Sequence, residues 1–173
     1  MPVRRDVQTV TPDGKPLARL PDGMVVRELV THTDERGTVC ELYDARWGVS
    51  TAPLVFAYMF TIRPGCAKGW GIHYEHEDRY SFMAGELELV FYDARPDSPT
   101  SGEESRLVLS ELHRKLVTIP RGVWHAERNI GAVDVRVVNF PSIPYDHTNP
   151  DKYRLPLDTD ELPVRLGPEW RGW

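Results

Sequence analysis

The stretch Val117 to Asn129, VTIPRGVWHAERN, sets Pro120, Gly122, His125 and Asn129 in a P-x-G-x-x-H-x-x-x-N pattern. Proline fixes φ and lacks an amide donor, so it closes a strand, and glycine tolerates the corner that follows. Side chains alternate between faces in the next strand, so the corner decides which way His125 points. A chain punctuated in this way builds short strands and aims a histidine into the mouth of whatever they enclose.

The remainder is punctuated similarly. With 15 Pro and 13 Gly scattered over 173 residues, long helices have little room while short strands ended by turns fit, and the predicted class is all-β. Nine strands are predicted: Val25 to Val30, Thr38 to Leu42, Leu54 to Ile62, Tyr80 to Met83, Glu86 to Tyr92, Arg106 to Leu109, Lys115 to Ile119, Trp124 to Arg128 and Val135 to Phe140. Leu54 to Ile62 is almost continuously apolar and is expected to cross the middle of a sandwich. Asp93 to Glu104 and Pro141 to Pro156 are proline-rich loops, the second placed to fold back over a barrel mouth. A 40% hydrophobic fraction and this length suit one domain over 1–173, with a core of about 25–140 and an extension over 141–173.

Composition excludes some partners. The formal charge of −5 spreads without a basic stripe, so nucleic-acid binding has no electrostatic support and an anionic ligand needs a local basic pocket. Cys40 and Cys66 form no C-x-x-C motif and are expected as buried free thiols. The first ten residues, MPVRRDVQTV, hold no apolar run, so neither a signal peptide nor a membrane span is expected and the default is a soluble cytoplasmic protein.

Upstream of His125 lies GWGIHYEHEDRYSFMAG, Gly69 to Gly85, which carries His73, His76 and Asp78. With His125, this block resembles the two-part site of cupins, small β-barrels of the jelly-roll type. Two histidines and a carboxylate (His73, Asp78, His125) can hold a divalent Fe, Mn, Ni or Zn with positions left open, and His76 is a spare ligand. The bland alternatives are an ion pair between Asp78 and its neighbour Arg79, and a satisfied core histidine at position 73. His32, His113 and His147 read as surface histidines, and the five tryptophans as core or interface.

Four blocks in order resemble a narrower family, the dTDP-4-dehydrorhamnose 3,5-epimerases. THTDERGTVCE is similar to that family's D-x-R-G-x-x-x-E block at Asp34, Arg36, Gly37 and Glu41. GIHY resembles the block carrying its catalytic base, matched at His73. DARPDSPTSG resembles its D-x-R-x-x-S-P-T-x-G loop, and IPRGVWHA its second histidine segment, matched at His125. The blocks span about residues 31–146. The resemblance implies a cupin barrel with a short N-terminal strand extension and a C-terminal loop segment, in a homodimer that exchanges N-terminal strands.

It also implies chemistry. His73 takes a proton α to a ketone, with no cofactor required, and Tyr145 or a water returns one. His125 orients the sugar, Arg36 reaches a nucleotide phosphate across the subunit boundary, and Glu41, Asn139 and Trp70 fall at substrate-binding positions. The chain departs from the pattern in three places. Asn139 stands where the catalytic tyrosine is expected if Tyr145 matches a second tyrosine, Trp70 replaces an arginine, and Asp78 replaces a lysine. The family's late aspartate has Asp146, Asp158 and Asp160 as candidate replacements. Two other readings stay open: a metal-dependent cupin enzyme acting on a small metabolite through His73, Asp78 and His125, and a non-catalytic sugar-nucleotide-binding cupin.

Overall fold

A computed structural model describes residues 3, 5–167 and 169–172. The strands are β1 Val25–Glu28, β2 Thr31–Asp34, β3 Gly37–Cys40, β4 Tyr58–Ile62, β5 Cys66–Ile72, β6 Asp78–Ala84, β7 Glu86–Asp93, β8 Glu104–Ser110, β9 Lys115–Ile119, β10 Val123–Asn129, β11 Val135–Asn139, β12 Tyr153–Arg154 and β13 Arg171–Gly172. One short 3-10 turn, Ala45–Trp47, is the helical content of the described residues. None of their helices is long and apolar enough to cross a membrane.

Two sheets form the sandwich. One runs β1-β9-β6-β11-β4, and the other β12-β5-β10-β7-β8 with β13 added in parallel to β5. Alternation explains what lies between them. Leu87, Leu89 and Phe91 of β7 meet Phe82 of β6, Val117 of β9 and Val137 of β11 in an apolar core. The intervening positions of the second sheet face outward, where Trp70, Val90 and Ala126 pack beneath Leu162, Val164 and Leu166. The C-terminal segment therefore covers the outer face of this sheet; its final residue, Trp173, lies outside the described residues. Leu29, Val49 and Leu116 bury a smaller cluster on the outer face of the first sheet.

The signature motif is realised as turn chemistry. Gly122 has φ 76°, a left-handed conformation that favours glycine, and a Cβ there would meet Arg95 Cγ at 2.9 Å. Its amide donates to the His73 carbonyl at 2.7 Å, which locks the two histidine blocks together. Asn129 closes the far end by donating to the carbonyls of Ile62 and Val133. The D-x-R-x-x-S-P-T loop is a clamp on buried Asp93, whose carboxylate accepts from Arg95, Ser98 and Thr100.

Several expectations need correction. The apolar run from Leu54 does not cross the sandwich, since only Tyr58–Ile62 is strand and it forms a sheet edge, with Leu54 and Val55 exposed. Pro53, without an amide donor, begins a segment outside the ladder. β5 is a strand that periodicity misses, because Gly69 and Gly71 erase its apolar alternation; β10 on one side and β12 on the other hold it. β2 and β3 form a hairpin, although only the second was expected as a strand. Asp78 and Arg79 point to opposite faces and make no ion pair, while Cys40 and Cys66 are free but only half-buried.

Candidate active site

The inward faces of both sheets converge on polar side chains at one end of the sandwich. Ladder register does the placing: Asn139 lies opposite Tyr58 on one side and Tyr80 on the other, and His125 lies opposite Gly71. His73 follows β5 immediately and shares its inward parity with Gly69 and Gly71. The result is a cavity of about 210 Å³ lined by Tyr58, His73, His76, Tyr145, Asp151 and Lys152. A smaller chamber of about 60 Å³ adjoins it, bounded by His125, Glu127, Tyr80, Lys68 and the two glycines.

Asp78 is the electrostatic centre. It is 2% exposed, and its Oδ2 lies 3.2 Å from His73 Nε2 and 3.6 Å from His125 Nε2. Asn139 Nδ2 donates to Asp78 Oδ1 at 2.6 Å, and the Tyr80 hydroxyl approaches Oδ2 at 3.3 Å. Burial works against the charge, but the hydrogen bond and charge of His73, with the charge of His125 and the hydrogen bond from Asn139, hold the carboxyl well below its usual range.

The three histidines titrate apart. Burial opposes charge on His73, yet the hydrogen bond from its ring to Asp78, the Asp78 charge and a 2.5 Å bond from Nδ1 to the Asp151 carbonyl raise its pKa above the ordinary value. His125 is pushed down to about 4, chiefly by burial. Its Nδ1–H donates to the Val123 carbonyl at 3.1 Å, which leaves Nε2 as an acceptor facing the chamber. His76 is lowered by burial and by the neighbouring His73 charge, with Nδ1 bonded to Asp151 Oδ2 at 2.7 Å.

Sequence reasoning finds His73, His76, Asp78, His125, Asn139 and Tyr145, and the structure brings them to this end of the fold. Trp70 is a correction. It is fully buried on the outer face of β5, packed with Val90, Ala126 and the C-terminal Leu162, Val164 and Leu166, because three residues before an inward His73 the strand faces out. Arg36 and Glu41 lie away from the cavity in this chain. Arg36 is exposed on the β2–β3 hairpin and pairs with Asp34 at 2.5 Å, and Glu41 is exposed just beyond it. The three late aspartates are occupied elsewhere or exposed, and the aspartate that touches the His73 ring from the C-terminal side is Asp151: Asp146 caps Thr148, and Asp160 pairs with Arg165.

Four residues at the site escape sequence reasoning. Asp151 accepts from the amides of Tyr74, Glu75 and His76 and so fixes the turn after His73. Glu127 accepts from the Tyr80 hydroxyl at 2.8 Å, and burial pushes its carboxyl up to about 7. Tyr58 and Lys152 line both cavities. Parity from His125 points to Glu127, two residues on, but no local signal marks Asp151, Tyr58 or Lys152.

Donor atoms of His73, Asp78 and His125 lie within 4.8 Å of one another, as do those of His73, His76 and Asp151. Either set fits a divalent ion, which would supply Lewis-acid chemistry there.

Known proteins resemble this chain over most of its length. The sequence model for dTDP-4-dehydrorhamnose 3,5-epimerase matches residues 19–129. The probable low-salt glycan biosynthesis epimerase Agl13 of Haloferax volcanii is 31% identical over 134 residues, 77% of this chain and 86% of that protein. The spore coat polysaccharide biosynthesis protein SpsL of Bacillus subtilis is 29% identical over 161 residues, 87% of this chain and 99% of that protein. Among solved structures, a dTDP sugar isomerase from Desulfovibrio desulfuricans superposes with a TM-score of 0.77 at 25% identity, over 85% of this chain and 94% of that one.

Proposed function

The chain belongs to the dTDP-4-dehydrorhamnose 3,5-epimerase family and is an isomerase of the carbohydrate-epimerase class, and from that premise we propose that His73 removes the proton α to the ketone of a keto sugar nucleotide. The observation that carries this is the His73 ring itself, held at Nδ1 by the Asp151 carbonyl and facing Asp78 with Nε2 in the wall of the larger cavity. As the C–H bond breaks, its electron pair moves onto the carbonyl oxygen and His73 Nε2 takes the proton. Asp78 stabilises the imidazolium that results, and Asn139 keeps its hydrogen bond to that carboxylate throughout. The Lys152 ammonium, in the same wall, supplies positive charge for the enolate oxygen. His125 accepts a sugar hydroxyl at its unprotonated Nε2.

This chemistry needs no cofactor, because imidazole and carboxylate handle the proton alone. The β2–β3 hairpin pairs only with itself among the described residues and leaves Val39 exposed, which supports a homodimer in which a second copy covers the hairpin and receives Arg36. The test is a dTDP-4-keto sugar incubated in deuterated water. Deuterium enters at the α carbon with the wild-type protein and not with His73→Ala. Uptake that survives this substitution sinks the assignment of His73.

A further inference from the structure

Epimerisation needs a proton returned to the face opposite the one that lost it. We propose that Tyr58 is that donor, an inference that rests on the proposed base His73. Asn139 makes the argument. Its Oδ1 accepts from the Arg79 amide at 3.0 Å, and its Nδ2 donates to the Asp78 carboxylate at 2.6 Å. An amide N–H can only donate and a carboxylate only accept, so this side chain cannot be flipped. The second Nδ2 hydrogen then donates to the Tyr58 oxygen at 3.0 Å. Tyr58 is thus held as an acceptor, and among the described residues no hydrogen bond uses its own O–H proton, which is free to enter the cavity.

The fold brings this proton and the base to one cavity from different sheets. Tyr58 opens β4 at the edge of one sheet, whereas His73 follows β5 in the other, and both line the 210 Å³ cavity. A sugar ring seated there faces His73 on one wall and Tyr58 on the other. Burial and the Asp78 charge also raise the Tyr58 pKa, so the phenol keeps its proton through the neutral range. Tyr145 is the rival, but its ring packs on His147 in the 140–152 loop and nothing comparable to Asn139 holds its hydroxyl among the described residues.

The step balances without a further reactant. Once His73 holds the abstracted proton, the enolate carbon takes the Tyr58 proton, the new C–H bond forms on the opposite face and the C=O reforms. The phenolate is reprotonated from water, and His73 returns its proton to water.

The experiment follows dTDP-4-keto-6-deoxyglucose in deuterated water by NMR, scoring deuterium uptake and epimer separately. Tyr58→Phe keeps the ring beside Phe56 and Phe60. It is expected to cut epimer formation by about 100-fold or more, the usual weight of a general acid. Deuterium exchange into recovered starting sugar, which needs only His73, stays within about tenfold of wild type by the same reasoning. Asn139→Ala, which leaves the hydroxyl unheld, shifts the ratio of epimer to exchange in the same direction by about tenfold, the weight of one hydrogen bond. Epimer formation at the wild-type rate in Tyr58→Phe overturns the proposal, as does equal loss of both signals in a protein that still melts normally. Loss of epimer in Tyr145→Phe with Tyr58→Phe intact moves the donor to Tyr145. Wild-type protein that takes up no deuterium refutes instead the reading of His73, and the proposal with it.

Discussion

Arg79 offers the sharpest test of how the site is held. It is fully buried, and all five of its guanidinium hydrogens are used: Nε on the Phe140 carbonyl, Nη1 on the Tyr43 hydroxyl and the Ala52 carbonyl, and Nη2 on the carbonyls of Pro53 and Pro141. These bonds tie the segment entering β4 to the segment leaving β11, which carry Tyr58 and the cavity wall. In Arg79→Met the three partners in part-buried surroundings can turn to water, but the carbonyls of Phe140 and Pro141 cannot. Each buried carbonyl left without a donor costs about 1–3 kcal/mol, so the expected loss is about 4 kcal/mol. For a chain of this size that lowers Tm by about 8–16 °C. Urea titration and thermal melting measure it directly, and Arg79→Lys should recover only part, since one ammonium cannot reach both segments. A drop in Tm below about 3 °C would show that these carbonyls find other partners and that Arg79 does not organise the mouth.

Other outcomes follow from the titrating groups and glycines. His73 must be neutral to accept a proton and its pKa is raised, so kcat/KM rises with pH above the ordinary histidine range, and Asp78→Asn moves that limb to lower pH; an unmoved limb excludes His73 as the titrating base. The His73 contribution to stability is present below its unfolded value of 6.5 and lost as pH rises through the folded one, while that of Asp78 is present above 3.8 and lost as pH falls, so Asp78→Asn loses most between those values in melts across pH. Glu127 goes from 4.5 to about 7 on folding, so stability falls by about 3 kcal/mol as pH rises across that interval, and Glu127→Gln removes the slope in urea titrations at about pH 5 and 8. Gly71→Ala adds a Cβ at 3.8 Å from His125 Nε2 with no clash, so Tm holds while KM rises.

How much of this is legible in the sequence depends on how local each cause is. The Pro120–Gly122 corner and its histidine are readable because φ and donor loss act within a few residues. The β5 strand is not, since Gly69 and Gly71 carry no pattern and only β10 and β12 make them a strand. Trp70 is misplaced by matching positions without parity: counting back from an inward His73 puts Gly71 and Gly69 inside and Trp70 outside. Asp151 is 78 positions from His73, and no spacing rule announces a loop that folds back so far.

Positions 78 and 139 make the same point more strongly. Taken singly, a carboxylate at 78 and an amide at 139, where the resemblance leads one to expect a lysine and a tyrosine, each look like a lost function. In three dimensions they are one arrangement, because Asn139 donates to Asp78 with one hydrogen and to Tyr58 with the other. The carboxylate fixes the amide, the amide holds Tyr58, and Tyr58 comes from a strand edge to line the same cavity as His73. An amide at 139 therefore does not leave the cavity without an oriented phenol, because it holds the Tyr58 hydroxyl itself, an arrangement that neither position reveals alone.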